Sequence, residues 1–387
     1  MLRVLTLSTL FPDENRPRFG SFVEQQTQKL AAHPDVELRV FAPIGLPPMP
    51  LLLHARYAPL RALPTREVWN GLTVHRPRFT HIPGMAGRFD ADLMARALLP
   101  LFRQIRCEFP FDVIDASFFF PDGPAATRLG EALHIPVSIK ARGSDIRFWG
   151  RQAATAAQIR KASQQAAGLL AVSAALKADM VALGMQAEKI RVHYTGVDFT
   201  TFKPHPRAET KAALGLTGPL IVCIGNLIPG KRQGLILEAL THIPDATLAV
   251  IGRGPDQAKL QAQAADLGLL DRVRFVGSIT HSDMAVWLSA ADVMALASES
   301  EGLANVWVEA LACGTPLAIT DVGGAREVLD RPVAGHLISV DPAGIAEAIR
   351  DLIDHPRDPI AVRACAKRFT WEANTASLYD HLSGLVS

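Results

Sequence analysis

The stretch that decides the fold runs from residue 295 to residue 324 and reads ALASESEGLANVWVEALACGTPLAITDVGG. An apolar run at 293–297 predicts a buried strand, and a second run at 316–320 predicts another. The residues between 305 and 313 have a helical pattern. A strand, a helix and a strand in this order predict a parallel βαβ unit, in which ligands bind beyond the carboxyl ends of the strands.

The loop and helix of this unit carry groups suited to an anion and to hydroxyl groups. Free N–H groups and the helix dipole at the helix start favour a phosphate. Glu301 precedes that start, and Glu309 lies one turn inside the helix on the face of Asn305, so the two carboxylates are placed to hold sugar and ribose hydroxyls. Two acids that only stabilise a helix start are the alternative. The candidate ligand-binding residues of the helix start are Gly302, Leu303, Ala304 and Asn305.

Short apolar runs alternate with helical patterns in both halves of the chain. The predicted strands are 3–8, 36–42, 112–116, 136–140 and 168–173, then 220–224, 247–251, 273–276, 293–297 and 316–320. The predicted helices are 21–32, 89–107, 123–134, 151–166, 232–240, 256–267, 282–290 and 305–313. This alternation predicts an α/β protein with two doubly wound, Rossmann-like domains, residues 1–200 and 201–368, facing one another across a cleft. Residues 199–218, with Pro204 and Pro206, are the expected linker.

Composition excludes several classes of protein. Of 387 residues, 49% are hydrophobic, which fits well-buried cores and not a disordered chain. The N-terminal MLRVLTLSTLF predicts a first strand, not a signal peptide, and no apolar run approaches the ~20 residues of a membrane span. The four cysteines lie far apart, without metal-ligand spacing. We therefore expect a cytoplasmic protein with no metal site.

Charge is divided unevenly along the chain. Residues 1–200 hold 24 Lys and Arg against 17 Asp and Glu, whereas residues 201–387 hold 16 against 21. A basic half predicts an anionic partner, with a chance asymmetry of a solvated surface as the alternative. The segments 44–64 and 76–89 mix apolar residues with Arg, a combination typical of contact with an anionic membrane surface. An ordinary loop over a soluble acceptor is the other interpretation.

The spacing of the two acids carries a resemblance to a known family. Glu301 and Glu309, with seven residues between them and ALACGTP after the second, resemble the E-x7-E signature of retaining glycosyltransferase family 4, which has the GT-B fold. The segments GNLIPGK (225–231) and IGRGP (251–255) resemble the family's phosphate-binding loop and its next strand-end loop. FTWEANTASLY (369–379) resembles its terminal helix, so the resemblance implies that residues 369–387 cross back to the first domain.

Site roles follow from this resemblance. Lys231 is expected to neutralise the leaving diphosphate, Glu301 to hold the transferred sugar and Glu309 to hold the ribose. Gly20, after the first strand, matches a glycine loop near the donor phosphates. The residues expected to border the base, mostly through backbone atoms, are Ser278, Ile279 and Thr280.

Two positions depart from the family pattern. Asn226 stands where Arg is common, so a second cation would come from Arg232 or Arg253, or phosphate neutralisation would be weaker. Arg142 stands where many members have His. Arg is not a base near neutral pH, but it binds a phosphate or a sugar hydroxyl. Asp145 would accept a hydrogen bond from the acceptor or cap the following helix.

The resemblance thus implies a retaining, metal-independent glycosyltransferase without a cofactor, in which the leaving diphosphate itself accepts the acceptor's proton. Its expected partners are a UDP- or GDP-linked sugar and a saccharide or lipid-linked acceptor of polysaccharide or glycolipid biosynthesis, with peripheral membrane contact through the first domain and no nucleic acid. A sugar-nucleotide epimerase of the same fold and a non-catalytic nucleotide- or sugar-binding module are the alternatives.

Overall fold

The computed structural model describes residues 1–386, which form two compact units. The first unit comprises Met1–Tyr194 together with the chain from Trp371 onward, and the second comprises Thr195–Thr370. The C-terminal segment therefore belongs to the first unit, although the whole second unit separates the two in sequence. Within the described residues, no helix combines the length and apolar character needed to cross a bilayer.

Sixteen strands lie in the described residues. Those of the first unit are β1 (Leu2–Leu7), β2 (Val36–Phe41), β3 (Ile44–Leu46), β4 (Arg66–Trp69), β5 (Leu72–His75), β6 (Arg78–Thr80), β7 (Val113–Ala116), β8 (Val137–Ala141), β9 (Gly168–Ala171) and β10 (Ile190–Val192). Those of the second unit are β11 (Leu220–Ile224), β12 (Thr247–Ile251), β13 (Val273–Gly277), β14 (Val293–Leu296), β15 (Leu317–Thr320) and β16 (Gly335–Ile338).

Sixteen α-helices lie in the same residues. Up to Tyr194 they are α1 (Ser21–Ala31), α2 (Ala58–Ala62), α3 (Asp90–Glu108), α4 (Asp122–Leu133), α5 (Ser144–Arg147), α6 (Ala153–Gln165) and α7 (Ala174–Ala182). The remainder are α8 (Arg207–Ala213), α9 (Gln233–Leu240), α10 (Gln257–Asp266), α11 (His281–Ala290), α12 (Asn305–Ala312), α13 (Ala325–Val328), α14 (Pro342–Asp354), α15 (Pro359–Cys365) and α16 (Trp371–Ser383).

The first unit is built on an eight-stranded sheet with the order β10-β9-β8-β7-β1-β2-β5-β4. Its neighbours pair in parallel except β4 and β5, which form an antiparallel hairpin. Leu378 and Leu382 of α16 are buried in one cluster with Leu2, Val4 and Leu30 of β1 and α1. Burial of these apolar side chains away from water stabilises the packing of the C-terminal helix on the first unit.

The second unit contains a six-stranded, all-parallel sheet with the order β13-β12-β11-β14-β15-β16. Every residue of β11, β14 and β15 is buried, as expected of parallel strands that helices cover on both faces. In this order β11 and β14 are neighbours. The loops that follow them therefore lie next to each other at the carboxyl edge of the sheet.

Two local features differ from the sequence-based expectation. The expected linker contains α8, which lies within the second unit. The hairpin of β4 and β5 was missed, although its turn, Asn70–Gly71, is the dipeptide most typical of such turns. The predicted helix 89–107 corresponds to α3, which continues through Pro100 to Glu108.

Candidate active site

The pairing of β11 with β14 brings Lys231 to Glu301. Ile221 and Val293 are register partners on these strands, and the Glu299 amide donates to the Gly230 carbonyl at 2.8 Å, which joins the two following loops. Lys231 Nζ donates to the Glu301 carboxylate. The two side chains are 20% and 11% exposed. A mostly buried cation and carboxylate thus meet at the carboxyl edge of the sheet.

The start of α12 lies directly after this pair. Ala304 is the N-cap residue and Asn305 begins the helix. Within the described residues, the amides of Leu303 and Ala304 donate no hydrogen bond. Helix-start amides without partners, in line with the helix dipole, attract an anion. The geometry therefore leaves N–H donors open to an anion beside the Lys231–Glu301 pair.

Glu309 lies one turn inside α12 and is partly buried. Its carboxylate has no hydrogen-bond partner among the described residues. Burial raises the pKa of Glu309 from 4.5 to about 8, because the charged form loses its hydration. In the free protein this side chain is therefore mostly a neutral acid near pH 7.

This shift predicts a pH dependence of stability. The folded chain holds the Glu309 proton up to about pH 8, whereas the unfolded chain loses it near pH 4.5. The stabilisation from the neutral acid is complete below pH 4.5 and is lost as the pH rises through about 8. We expect the free energy of unfolding, measured relative to Glu309→Gln, to fall as the pH is raised over this range. A difference between the two proteins that stays constant with pH would contradict the assignment.

The loops after β11, β12 and β13 are joined by backbone contacts. The Leu227 amide donates to the Arg253 carbonyl at 3.0 Å, and the Gly252 amide donates to the Gly277 carbonyl at 2.9 Å. Asn226 is exposed at the end of β11, and its carbonyl accepts from Gln233 Nε2 at 2.9 Å. The structure thus places Asn226, Arg253 and, after β13, Ile279 along the same edge as Lys231.

Gly252 permits this close approach. Its φ is +141°, and a Cβ there would lie 1.9 Å from the Gly225 carbonyl oxygen. We expect Gly252→Ala to lower the free energy of unfolding in urea by about 3 kcal/mol. The matched control is Gly268→Ala, at φ +68° with nothing within 4 Å of an added Cβ. Gly268→Ala should lower the free energy of unfolding by about 1 kcal/mol, because only the left-handed backbone is unfavourable there. Equal losses in the two variants would show that the contact with Gly225 is unimportant.

Sequence reasoning assigned no role to Gly323 and Gly324, which support the Glu301 loop from β15. The Gly324 amide donates to the Gly302 carbonyl at 2.9 Å, and a Cβ on Gly323 would lie 2.0 Å from the Glu301 carbonyl oxygen. The positive φ of Gly323, +55°, suits glycine as well. The Asp-Val-Gly-Gly sequence after a predicted buried strand was the signal available for this loop.

Three predicted site residues belong to the first unit and are positioned within it. Gly20 is the N-cap of α1 at φ 71°, where a Cβ would meet the Leu10 carbonyl oxygen at 2.4 Å. Arg142 follows β8, donates from Nε to the Ser117 carbonyl at 2.6 Å and lies over the ring of Phe22. Burial lowers the pKa of Arg142 to about 10, which still leaves the guanidinium charged.

Asp145 has the contacts of a residue that holds a loop. Its carboxylate accepts hydrogen bonds from the backbone amides of Phe119, Arg142, Gly143 and Ile146, at 2.7 to 3.1 Å. These contacts occupy both oxygens, but they are not a helix cap, because Asp145 lies inside α5, whose N-cap residue is Gly143 and has no side-chain cap. The side chain thereby fixes the backbone from which Arg142 projects.

A buried polar network lies behind Arg142. Lys140 Nζ donates to Gln26 Oε1 at 2.7 Å and to His193 Nδ1 at 2.5 Å. His193 Nε2 donates to the Asn374 carbonyl of α16 at 2.9 Å, which leaves Nδ1 as the acceptor. Burial lowers the pKa values of both Lys140 and His193. Arg142 Nη2 also lies 3.4 Å from Gln26 Oε1, so the network reaches the site residue.

Two Rossmann-like α/β units with parallel sheets, the first completed by the C-terminal helix, give the chain the GT-B fold of glycosyltransferases. Two family models match consecutive parts of the chain. Residues 24–201 match Glycosyltransferase Family 4, and residues 206–368 match Glycosyl transferases group 1. These matches support a glycosyltransferase of the GT-B fold.

Curated relatives match over about half of their own length. The GDP-mannose-dependent alpha-(1-6)-phosphatidylinositol monomannoside mannosyltransferase of Mycolicibacterium smegmatis is 34% identical over 49% of this chain and 55% of its own. The D-inositol 3-phosphate glycosyltransferase of Mycobacterium tuberculosis (strain F11) is 33% identical over 50% of this chain and 44% of its own.

Solved structures resemble the fold over nearly its whole length. HepE of Anabaena in complex with UDP has a TM-score of 0.76 and 20% identity, covering 99% of this chain and 100% of its own. Sucrose-phosphate synthase of Thermosynechococcus elongatus has a TM-score of 0.78 and 20% identity, covering 100% of this chain and 99% of its own. At this level of identity the similarity shows the fold alone.

Proposed function

We propose that this chain is a retaining, metal-independent glycosyltransferase that moves a sugar from a nucleoside diphosphate donor to a saccharide or lipid-linked acceptor. The observation that carries the proposal is the Lys231–Glu301 pair beside the amides that begin α12. This arrangement offers a cation and N–H groups to a diphosphate and a carboxylate to sugar hydroxyls. The matches of both halves to glycosyltransferase models, and the GDP-mannose dependence of one relative, support it.

The same groups would act on the departing diphosphate. As the bond between the anomeric carbon and the diphosphate oxygen breaks, negative charge grows on the phosphates, and Lys231 and the α12 dipole stabilise it. The acceptor oxygen bonds to the same face of the sugar, and its proton passes to a diphosphate oxygen. Configuration at the anomeric carbon is then retained. Arg142, which is not a base, fits a mechanism in which the donor supplies the proton acceptor.

The first test of this proposal is a thermal-shift panel of nucleotides and nucleotide sugars. A nucleotide sugar at about 100 times its Kd should add ~2.7 kcal/mol to the free energy of unfolding. Transfer with the best donor is then followed in the presence of EDTA, and NMR of the product reads its anomeric configuration. Inversion, or loss of transfer with EDTA, would contradict the mechanism.

The alternatives predict other results in the same assays. An epimerase changes the donor sugar without any acceptor, which NMR of the donor alone detects. A non-catalytic module binds a nucleotide but neither transfers nor hydrolyses the sugar. No shift with any nucleotide or nucleotide sugar would exclude all three functions.

The acceptor side of the proposal is a lipid-linked saccharide at the inner face of an anionic membrane, within polysaccharide or glycolipid biosynthesis. Residues 38–89 contain seven Arg and one acid, Glu67, which pairs with Arg76. Met49, Leu51 and Leu53 in this segment are 62%, 52% and 62% exposed. Neighbouring exposed apolar residues amid basic ones suit an anionic bilayer surface.

Vesicle flotation tests the membrane contact without nucleotide or acceptor. We expect binding to vesicles that contain phosphatidylglycerol, but not to phosphatidylcholine vesicles, and weaker binding at high salt. The double variant Leu51→Ser/Leu53→Ser should lose most of this binding. The matched control is Leu270→Ser/Ile360→Ser in the second unit, at 62% and 67% exposure. Equal loss in the control, or no binding by the unmodified chain, would exclude this surface.

A further inference from the structure

Arg253 is an exposed cation whose backbone is hydrogen-bonded at the carboxyl edge of the second sheet. It follows β12, and its carbonyl accepts from the Leu227 amide at 3.0 Å. A Cβ on Gly277, at the end of β13, would lie 3.7 Å from Nε and 3.9 Å from Nη2 of Arg253. Among the described residues the guanidinium makes no hydrogen bond or ion pair. Its donors are therefore available to a ligand at the edge of β12 and β13.

Free backbone groups lie directly beside this guanidinium. Within the part of the chain that the structure describes, the N–H and C=O groups of Ser278 and Ile279 have no hydrogen-bond partner. Thr280 then caps α11 and ends the segment. A ligand placed here would meet a donor-only side chain and peptide groups that both donate and accept.

The orientation of Arg253 separates it from the Lys231–Glu301 pair. The Lys231 side chain lies over Gly225, with its Cδ and Cε 3.8 Å from a Cβ built there, whereas the guanidinium of Arg253 lies over Gly277. Gly225 follows β11 and Gly277 ends β13, two strands away, so the two positions lie about 10 Å apart. Under the proposed function Lys231 binds the phosphate end of a nucleotide, and a guanidinium about 10 Å away is within reach of its nucleoside.

Resting on the proposed function, we infer that Arg253 selects the donor's base and favours uracil or guanine over adenine. A guanidinium only donates, so it pairs with the exocyclic oxygen of guanine or uracil. In adenine an amino group, itself a donor, takes the place of that oxygen and would leave the pairing unsatisfied. The residue is thus a specificity determinant of the donor and not a second cation for the diphosphate.

Calorimetric titration of UDP, GDP and ADP against the unmodified chain and Arg253→Met tests this inference. Met keeps an unbranched side chain but removes every donor. We expect the unmodified chain to bind UDP or GDP about tenfold or more tightly than ADP, and Arg253→Met to lose most of that preference while its ADP affinity hardly changes. Inorganic pyrophosphate should bind both proteins equally. Lys259→Met, which removes an exposed cation of α10, is the matched control and should bind like the unmodified chain.

The outcomes distinguish this inference from the proposed function. Equal weakening of all three nucleotides and of pyrophosphate in Arg253→Met would assign the guanidinium to the diphosphate and overturn the inference. Unchanged affinities, or tightest binding of ADP, would overturn it as well. Failure of the unmodified chain to bind any nucleotide would overturn the proposed function itself.

Discussion

Glu301→Gln is expected to lower the turnover of sugar transfer about 10²–10³-fold and to leave nucleotide affinity nearly unchanged. The amide keeps the shape of the side chain but removes its charge, and the ion pair with Lys231 is lost. In the proposed mechanism the carboxylate holds the sugar hydroxyls as the anomeric carbon becomes positive. The loss therefore falls on the transition state, and steady-state kinetics should show it in kcat.

Glu299→Gln is the matched control for this change. Glu299 lies on the same loop, its side chain is 63% exposed, and it pairs loosely with Arg232 at 3.5 Å. An exposed pair of this kind contributes little, so the control should keep nearly full activity. If both variants transfer sugar at similar rates, Glu301 does not have the assigned role.

Lys231→Met is expected to lower kcat/KM for the donor about 10²–10³-fold, because a cation that stabilises the leaving diphosphate is removed. Nucleotide affinity should fall too, by about tenfold, since the bound diphosphate loses a charge-assisted hydrogen bond. Lys231→Met thus differs from Glu301→Gln, in which binding is preserved. Titration with UDP and GDP, together with initial rates, separates the two effects.

Arg232→Met controls for the loss of positive charge at this loop. Arg232 follows Lys231 directly but pairs with the exposed Glu299. Its removal should therefore change kcat/KM for the donor and the nucleotide affinity only slightly. A loss in Arg232→Met as large as that in Lys231→Met would mean that net charge alone, and not the position of Nζ, serves the phosphates.

Most elements could be predicted because their apolar periodicity is strong. The predicted helix 305–313 corresponds to α12, and the predicted strand 220–224 to β11. The short edge strands β10 and β16 and the hairpin of β4 and β5 were missed. All four have only three or four residues, and β4, β10 and β16 have few buried positions, so their apolar signal is weak. For the hairpin, the Asn70–Gly71 turn is a stronger indicator than the apolar pattern of the strands.

The candidate site could be predicted as residues but not as contacts. That Lys231 meets Glu301 depends on β14 lying beside β11, although two other strands come between them in sequence. The local pattern of apolar residues contains no information on the order of the strands in the sheet. The burial of Glu309 and the direction of Arg253 toward Gly277 likewise depend on neighbours distant in sequence. Their chemical consequences therefore became visible only in three dimensions.

The position of α16 has a consequence for the order in which a nascent chain completes its folding. Asn374 and His381 of this helix are the partners of His193 and of Ser138, and the ribosome adds them only after the whole second unit has been made. Until then Ser138 and the Nε2 atom of His193 lack these partners, and an apolar face of the first unit is uncovered. The second unit is continuous in sequence and can complete its fold earlier. The first unit, although it is synthesised first, is therefore the last to complete its fold.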